Sequence, residues 1–214
     1  MELNLSQEGK SMKKFMIVAV LLAFGFAGFV HAQEEPKAEE PKAEESKGPK
    51  KGDKMTLIKI DKGEICDTTK SVLSKEKVDK GRMYSLKYTI EAGKGGFSLI
   101  TGDSGLLKGK RGIWKDYDTL NVKYVLEGDK PVKASWLIGD QQSLDKWKYG
   151  NYCSKVAVLQ PGEGVVSIDI SGLVCDQGRQ MDLENMRNMM LYMGKGGPEE
   201  GFVLYVQDVY LEKE

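Results

Sequence analysis

Residues 120–126 read Leu-Asn-Val-Lys-Tyr-Val-Leu, a stretch in which apolar and polar side chains alternate. The same period of two returns in residues 85–90, 166–170 and 202–206, and less regularly in residues 132–138. Successive side chains of a β-strand point to opposite faces of the sheet, so this pattern predicts strands that are buried on one face.

The segments between these stretches are rich in turn-forming residues. Gly, Pro and Asp cluster in residues 91–96, 127–131, 160–164 and 194–198. Short strands at regular spacing, with turn signals between them and no long helical pattern, indicate an all-β sandwich or barrel. We predict one short helical segment, Asp182–Met190, whose first turn Asp182 could cap.

The first 32 residues have the features of a signal peptide. Lys13 and Lys14 precede the uncharged apolar run 15–30, and Ala32 ends a small-residue cleavage site. The run is shorter than the ~20 residues of a membrane-spanning helix. We therefore expect cleavage after Ala32, export to the periplasm or the extracellular space, and no stable membrane span afterwards; Met12 is a possible true start.

Residues 33–54 form a low-complexity segment of Glu, Lys, Pro and Ala, in which Glu-Glu-Pro-Lys-Ala occurs twice. Regular Pro residues oppose a helix, and the segment offers nothing larger than Ala to bury. We interpret it as a flexible tether. The folded domain is predicted to occupy residues 55–214.

The only histidine is His31, which lies inside the predicted signal peptide. A mature chain without histidine excludes Ser-His-Asp and Cys-His nucleophilic sites and every His-ligated metal site. We find no phosphate-binding or dinucleotide-binding motif, and we predict no catalytic residue and no metal site. The chain has 32 basic and 32 acidic residues, and this balance argues against a nucleic-acid partner.

Three cysteines, Cys66, Cys153 and Cys175, lie in the part predicted to be exported. Oxidation is expected there, so one disulfide and one remaining thiol is the simplest arrangement. Cys153 and Cys175 flank a predicted hairpin that turns at Pro161-Gly162, which makes them the candidate pair. Cys66 would then remain unpaired.

The order of several further motifs resembles the galactose-binding-like jelly-roll family, which includes non-catalytic carbohydrate-binding modules of bacterial secreted enzymes. The resemblance spans about residues 57–211 and is carried by residues 85–87, 114–120, 136–140, 159–162, 166–170, 179–183 and 204–211. It implies an antiparallel β-sandwich (jelly roll) that binds a glycan and is not an enzyme.

Two positions depart from that family's pattern. Many such modules carry Asp in the last strand, often linked to a structural calcium, where this chain has Gln207. A neutral amide is a poorer ligand for calcium than a carboxylate, so we expect no cofactor, with calcium as the open alternative. The central strand commonly exposes a polar side chain to the ligand, and Leu137 occupies that position here.

The segment Asp140–Tyr152 has the composition of a sugar-binding loop. Its aromatic rings, Trp147, Tyr149 and Tyr152, could stack on a sugar, while Asp140 and Gln142 could bind hydroxyls. Alternatively, these rings cover the open end of the sandwich. The partner is accordingly a glycan or, as the rival hypothesis, an envelope protein bound by a structural or protein-interaction domain without sugar affinity.

Overall fold

The computed structural model describes residues 48–65, 70–146, 148 and 150–214. This part of the chain contains a single α-helix, α1 (Gln141–Asp145), and short 3₁₀ turns at Ile60–Lys62, Gly102–Ser104 and Gly109–Gly112. The strands are β1 (Lys54–Thr56), β2 (Ser71–Ser74), β3 (Ser85–Ile90), β4 (Gly96–Ile100), β5 (Thr119–Leu126), β6 (Val132–Asp140), β7 (Cys153–Leu159), β8 (Gly162–Asp169), β9 (Met186–Tyr192) and β10 (Phe202–Glu212).

The strands form two sheets with antiparallel pairing throughout. One sheet has six strands, in the order β2-β3-β10-β5-β8, with β1 paired to the C-terminal part of β10. The other has four strands, in the order β4-β9-β6-β7. The predicted fold class, an all-β antiparallel sandwich with one short helix, is confirmed.

The core between the sheets consists of every second side chain of the strands, the ones that point inward. In β5 the buried inward residues are Leu120, Val122, Tyr124 and Leu126, as the alternating pattern predicts. In β6, Trp136 is buried with its apolar neighbours on the same face. Each such side chain contributes roughly 2 kcal/mol when it is fully buried, so the core is the main source of stability.

The predicted helix over Asp182–Met190 is wrong. Residues 186–192 form β9, which lies between β4 and β6 and hydrogen-bonds to both. Met189 and Leu191 are buried in the core, whereas Met190 and Tyr192 are half-buried on the other face, which is the period of a strand. Asp182 caps a turn, its Oδ1 accepting from the Glu184 backbone N–H at 3.0 Å.

The helix forms instead directly after β6. Asp140 is its N-cap, and Asp140 Oδ1 accepts from the backbone N–H of Ser143 at 2.9 Å. A carboxylate at this position satisfies a backbone donor that has no partner within the helix.

The loop 75–84, which joins β2 to β3, covers the middle of the outer face of the six-stranded sheet. Arg82 of this loop contacts Asp208 of β10 at 2.7 Å, and Asp79 contacts Lys123 of β5 at 2.6 Å. Glu76 accepts from Lys87 Nζ at 2.9 Å and from Tyr205 Oη at 2.7 Å. These contacts reach across three adjacent strands, so the loop lies over the sheet.

Gly52 and Asp53, which the sequence analysis assigned to the tether, hydrogen-bond with the C-terminal end of the chain. Gly52 N donates to Lys213 O at 2.6 Å, and Lys213 N donates to Asp53 O at 3.0 Å. The predicted signal peptide and the greater part of the tether lie outside the described residues. Within the described residues, no helix is long and apolar enough to cross a membrane.

Candidate functional site

The outer face of the four-stranded sheet carries the candidate site. The pairing register of the strands places the central residues of this face in two rows that run across the sheet. We call this surface the Tyr192 face; its residues are Gly96, Tyr192, Ser135 and Val156 in one row and Ser98, Met190, Leu137 and Ser154 in the next.

The Tyr192 ring lies beside the glycines at the start of β4. A Cβ atom at Gly95 would be 3.4 Å from Tyr192 Cε2, so the ring packs directly against this backbone. Gly96 has φ 155, and a Cβ atom there would be 2.3 Å from the Leu191 carbonyl oxygen. Only glycine fits at position 96, and no side chain from β4 covers the ring on that side.

Hydroxyl groups surround this ring. Ser98, Ser135 and Tyr192 make no hydrogen bond to another described residue through their side chains, so these hydroxyls are available to a ligand or to water. Leu137 and Met190 provide an apolar floor between them, and Val156 is 63% exposed. An aromatic ring with apolar neighbours and free hydroxyls can bind a molecule that has both C–H faces and hydroxyl groups.

Helix α1 closes one end of the Tyr192 face. Gly139 points outward in the same direction as Leu137, and a Cβ atom there would be 3.2 Å from Ser143 Cβ. Leu144 reaches the turn after β4, where a Cβ atom at Gly102 would be 2.2 Å from Leu144 Cδ1. The helix therefore folds back over the sheet and forms a wall at the end of the face.

A buried ion pair fixes this wall. Asp140 is fully buried, and its carboxylate accepts from Arg179 Nη1 at 2.6 Å and from Arg179 Nη2 at 3.0 Å. It also accepts from the backbone N–H of Asp182 at 2.9 Å and from Ser143 Oγ at 2.7 Å. Burial raises the pKa of Asp140, but the hydrogen bonds from Arg179, Asp182 and Ser143 outweigh burial and lower this pKa to about 2.

The sequence-predicted contacts divide into three groups. Asp140 is buried and contacts protein groups, so we do not retain it as a ligand contact. Gln142 is exposed on α1, and Tyr152 is half-buried just before β7. Trp147 and Tyr149 lie outside the described residues, so their place in the site stays a prediction.

The sequence analysis did not select Tyr192, and it assigned residues 186–190 of β9 to the predicted helix. A strand is indicated here by the alternation of the buried Met189 and Leu191 with the half-buried Met190 and Tyr192. Because methionines occupy both faces, this alternation is hard to distinguish in the sequence from a helical pattern. Ser135 was also missed, although it alternates with Trp136 in a stretch that was correctly interpreted as a strand.

The candidate disulfide is not formed in the structure. Cys153 and Cys175 are buried free thiols, and burial raises the pKa of Cys153. The predicted hairpin does not bring them together, because β7 and β8 belong to different sheets. The segments meet through Asp176, whose backbone N–H donates to Tyr152 O at 3.0 Å and whose Oδ1 accepts from Ser154 N at 3.1 Å.

The residues around Gln207 do not fit a calcium ion. Gln207 is 2% exposed, and its Nε2 donates to the carbonyl oxygen of Lys77 at 2.8 Å. An N–H donor thus faces the oxygen that a cation would need as a ligand, and Glu163 Oε1 lies 3.5 Å from the same nitrogen. No group of three or more acidic, cysteine or histidine side chains in the described ranges could hold a metal.

Solved structures of carbohydrate-binding modules are similar to this chain. A family 11 module from Clostridium thermocellum, in complex with a β-1,3-1,4-mixed-linked tetrasaccharide, matches with TM-score 0.46 and 11% identity over 67% of this chain and 81% of that chain. A family 30 module of a cellulosomal cellulase from Clostridium thermocellum matches with TM-score 0.47 and 11% identity over 69% of this chain and 84% of that chain.

An exo-β-agarase also matches, with TM-score 0.45 and 11% identity, over 67% of this chain and 22% of that chain. The structures similar to this chain thus include carbohydrate-binding modules, the class that the sequence resemblance named. No family model and no curated protein matches the sequence.

Proposed function

We propose that this protein is an exported, non-catalytic module that binds a glycan on the Tyr192 face. The observation that carries the proposal is Tyr192 itself, a half-buried ring that lies among the free hydroxyls of Ser98 and Ser135 on a sheet. A sugar ring presents C–H groups on its face and hydroxyls around its rim, so it matches this combination.

The contrast between the two sheets supports the same surface. The loop 75–84 covers the middle of the outer face of the six-stranded sheet, where its acidic and basic side chains form ion pairs with those of the strands. No ion pair of the described residues crosses the Tyr192 face, and none of its residues is charged. The middle of the Tyr192 face is therefore free of the ion pairs that occupy the middle of the other outer face.

In this proposal, the loop 141–152 lies at one end of the glycan-binding site on the Tyr192 face. Helix α1 stands at the end of the Tyr192 face and carries the exposed Gln142. Tyr152 follows in the same loop, so a glycan on Tyr192 that extends toward the helix would approach Gln142 and Tyr152. A contact with Trp147 or Tyr149 stays a prediction from the sequence.

The test is a screen of the purified protein against a glycan array and insoluble polysaccharides, with four variants alongside the parent. Loss of a stacked ring costs about 1 kcal/mol or more, so Tyr192→Ala should weaken binding at least about fivefold. Trp147→Ala should also weaken it. Tyr210→Ala is the matched control, since Tyr210 is a half-buried tyrosine on the outer face of the other sheet, where it contacts Lys54.

Tyr192→Phe separates the ring from its hydroxyl, because it keeps the stacking surface and should keep most of the affinity. Failure of the folded parent to bind any glycan on the array would contradict the proposal. Equal losses in the Tyr192 and Tyr210 variants would contradict the assignment of the site.

One observation favours the rival function, a protein-interaction domain of the cell envelope. Val156 and Val158 are 63% and 48% exposed on β7, an edge strand of the four-stranded sheet. An edge with exposed β-branched residues can accept a strand from a partner. Val158→Lys should abolish capture of an envelope protein under this alternative and leave glycan binding unchanged under the main proposal.

A further inference from the structure

A cleft of about 480 Å³ adjoins the Tyr192 face at the free edge of β4. Gly96 belongs to both, since it pairs with Tyr192 in the sheet and also lines the cleft. Val72, Ile90 and Phe97 form its apolar lining. A ligand lying on the Tyr192 ring would therefore enter this cleft if it extended past β4.

The charged lining of the cleft is mainly basic. It contains three lysines, Lys70, Lys87 and Lys94, and one carboxylate, Glu91. Lys87 is already paired, because its Nζ donates to Glu76 at 2.9 Å. The charge available to a ligand therefore comes from Lys70 and Lys94.

Neither of these two lysines has a strong partner among the described residues. Lys70 Nζ donates to the Gly96 carbonyl oxygen at 2.6 Å, and this neutral acceptor leaves the charge uncompensated. Lys94 Nζ lies 4.0 Å from Glu91 Oε2, and both side chains are at least 66% exposed. An ion pair so exposed and so long contributes little, so Lys94 can turn toward an anion at small cost.

We infer that the glycan bound on the Tyr192 face carries an anionic group, a uronate carboxylate or a sulfate ester, which lies between Lys70 and Lys94. This inference rests on the proposed function. The Tyr192 face has no carboxylate side chain that would repel such a chain. Among the apolar residues of the cleft, Val72 is 57% exposed and can contact the sugar ring that carries the anionic group, whereas Ile90 and Phe97 are buried.

The experiment compares the affinities of the purified protein for three soluble polymers at low and at high salt. Polygalacturonate carries carboxylates, a sulfated galactan carries sulfate esters, and a mixed-linked β-glucan is neutral. We expect one of the two anionic polymers to bind at least about tenfold more tightly than the neutral one at low salt, and the difference to shrink as salt screens the lysines. The preferred polymer identifies the anionic group.

Lys94→Gln should reduce the affinity for the preferred anionic polymer about fivefold and leave the affinity for the neutral glucan unchanged. This variant keeps every hydrogen bond of the fold, whereas Lys70→Gln also removes the bond to Gly96 and serves as the second test. Lys155→Gln is the control, because Lys155 is exposed on β7 at the opposite edge of the sheet.

The results separate the inference from the proposed function. Equal, salt-independent affinity for neutral and anionic polymers overturns the inference and leaves the proposed function standing. Anionic binding that Lys155→Gln weakens as much as Lys94→Gln also overturns it. Absence of binding to all three polymers, together with a silent glycan array, overturns both.

Discussion

Asp140 shows how a residue selected from the sequence as a ligand contact can have a different role in the fold. The sequence offered an acidic residue at the start of an aromatic loop, which is a reasonable sugar contact. The structure buries this carboxylate against Arg179, where it holds three segments of the chain together. Its partner lies 39 residues away, so no local pattern could indicate the pair.

We predict that Asp140→Asn destabilises the protein by about 3 kcal/mol, because Arg179 would keep its charge at a part-buried site without a matching anion. Chemical denaturation followed by fluorescence measures this change. The control is Glu200→Gln, which removes the exposed ion pair with Lys130 and should cost less than about 1 kcal/mol. Equal effects of the two substitutions would contradict the assigned role.

The ion pair between Asp140 and Arg179 should make the free energy of unfolding depend on pH. The pKa of Asp140 is about 2 in the fold, against 3.8 when unperturbed. Because this pKa is lowered by folding, its contribution of about 2 kcal/mol is present above pH ~4 and disappears as the pH falls toward ~2. The stability difference between the parent and Asp140→Asn should therefore shrink across that interval, and a constant difference would contradict the assignment.

At the scale of single elements, β9 is the strand whose secondary structure the sequence pattern predicts incorrectly. Five methionines between residues 181 and 193 present apolar side chains on both faces, so a strand and a short helix give similar patterns. The pairing of β9 with β4 on one side and β6 on the other decides the outcome. The strands with clean alternation, β3, β5 and β8, could be predicted because one face of each is polar.

The start of β7 allows a prediction about the cysteines. The hydrogen bond from Asp176 N to Tyr152 O joins the segments that carry the two cysteines, and Cys175 is close enough to Cys153 to contribute to the raised pKa of that thiol. Directly opposed residues of two antiparallel segments have Cα atoms about 4.5–5.5 Å apart. A disulfide spans such distances. We propose that the two thiols are oxidised to a disulfide, with transfer of two electrons and two protons to an exogenous disulfide oxidant.

This disulfide would stabilise the protein by about 3 kcal/mol on the chain-entropy account. The measurements are the intact mass, which should fall by two hydrogen atoms on oxidation, and the melting temperature with and without reductant. Cys153→Ser should abolish both effects, whereas Cys66→Ser should preserve them. Oxidation that persists in Cys153→Ser would instead assign the bridge to Cys66 and contradict the proposal.

For the molecule as a whole, the two outer faces of the sandwich differ in what lies over them. The loop 75–84 and its ion pairs cover the middle of the six-stranded sheet, and the four-stranded sheet presents the Tyr192 face. The sequence could predict the sandwich, because alternation and turns are local signals. It could not predict which face is covered, since Arg82–Asp208 and Asp79–Lys123 join residues distant in the chain.

The candidate site could be predicted only in part for the same reason. The composition of the loop after β6 predicts a ligand contact there, which stays a prediction, and α1 at the start of this loop stands beside the Tyr192 face. The Tyr192 face combines residues from the four strands β4, β9, β6 and β7. The pairing register of these strands decides which residues are neighbours on the face, and local sequence patterns do not contain that register.

The most direct test of the central claim is an NMR titration of the ¹⁵N-labelled protein with two probes, a mixed-linked β-glucan tetrasaccharide and tetragalacturonate. Binding on the Tyr192 face predicts that the amide signals of Ser98, Ser135 and Tyr192 shift with at least one probe. The signals of Lys123 and Tyr205 on the covered sheet should stay in place. Shifts confined to the covered sheet, or none with either probe, would contradict the account.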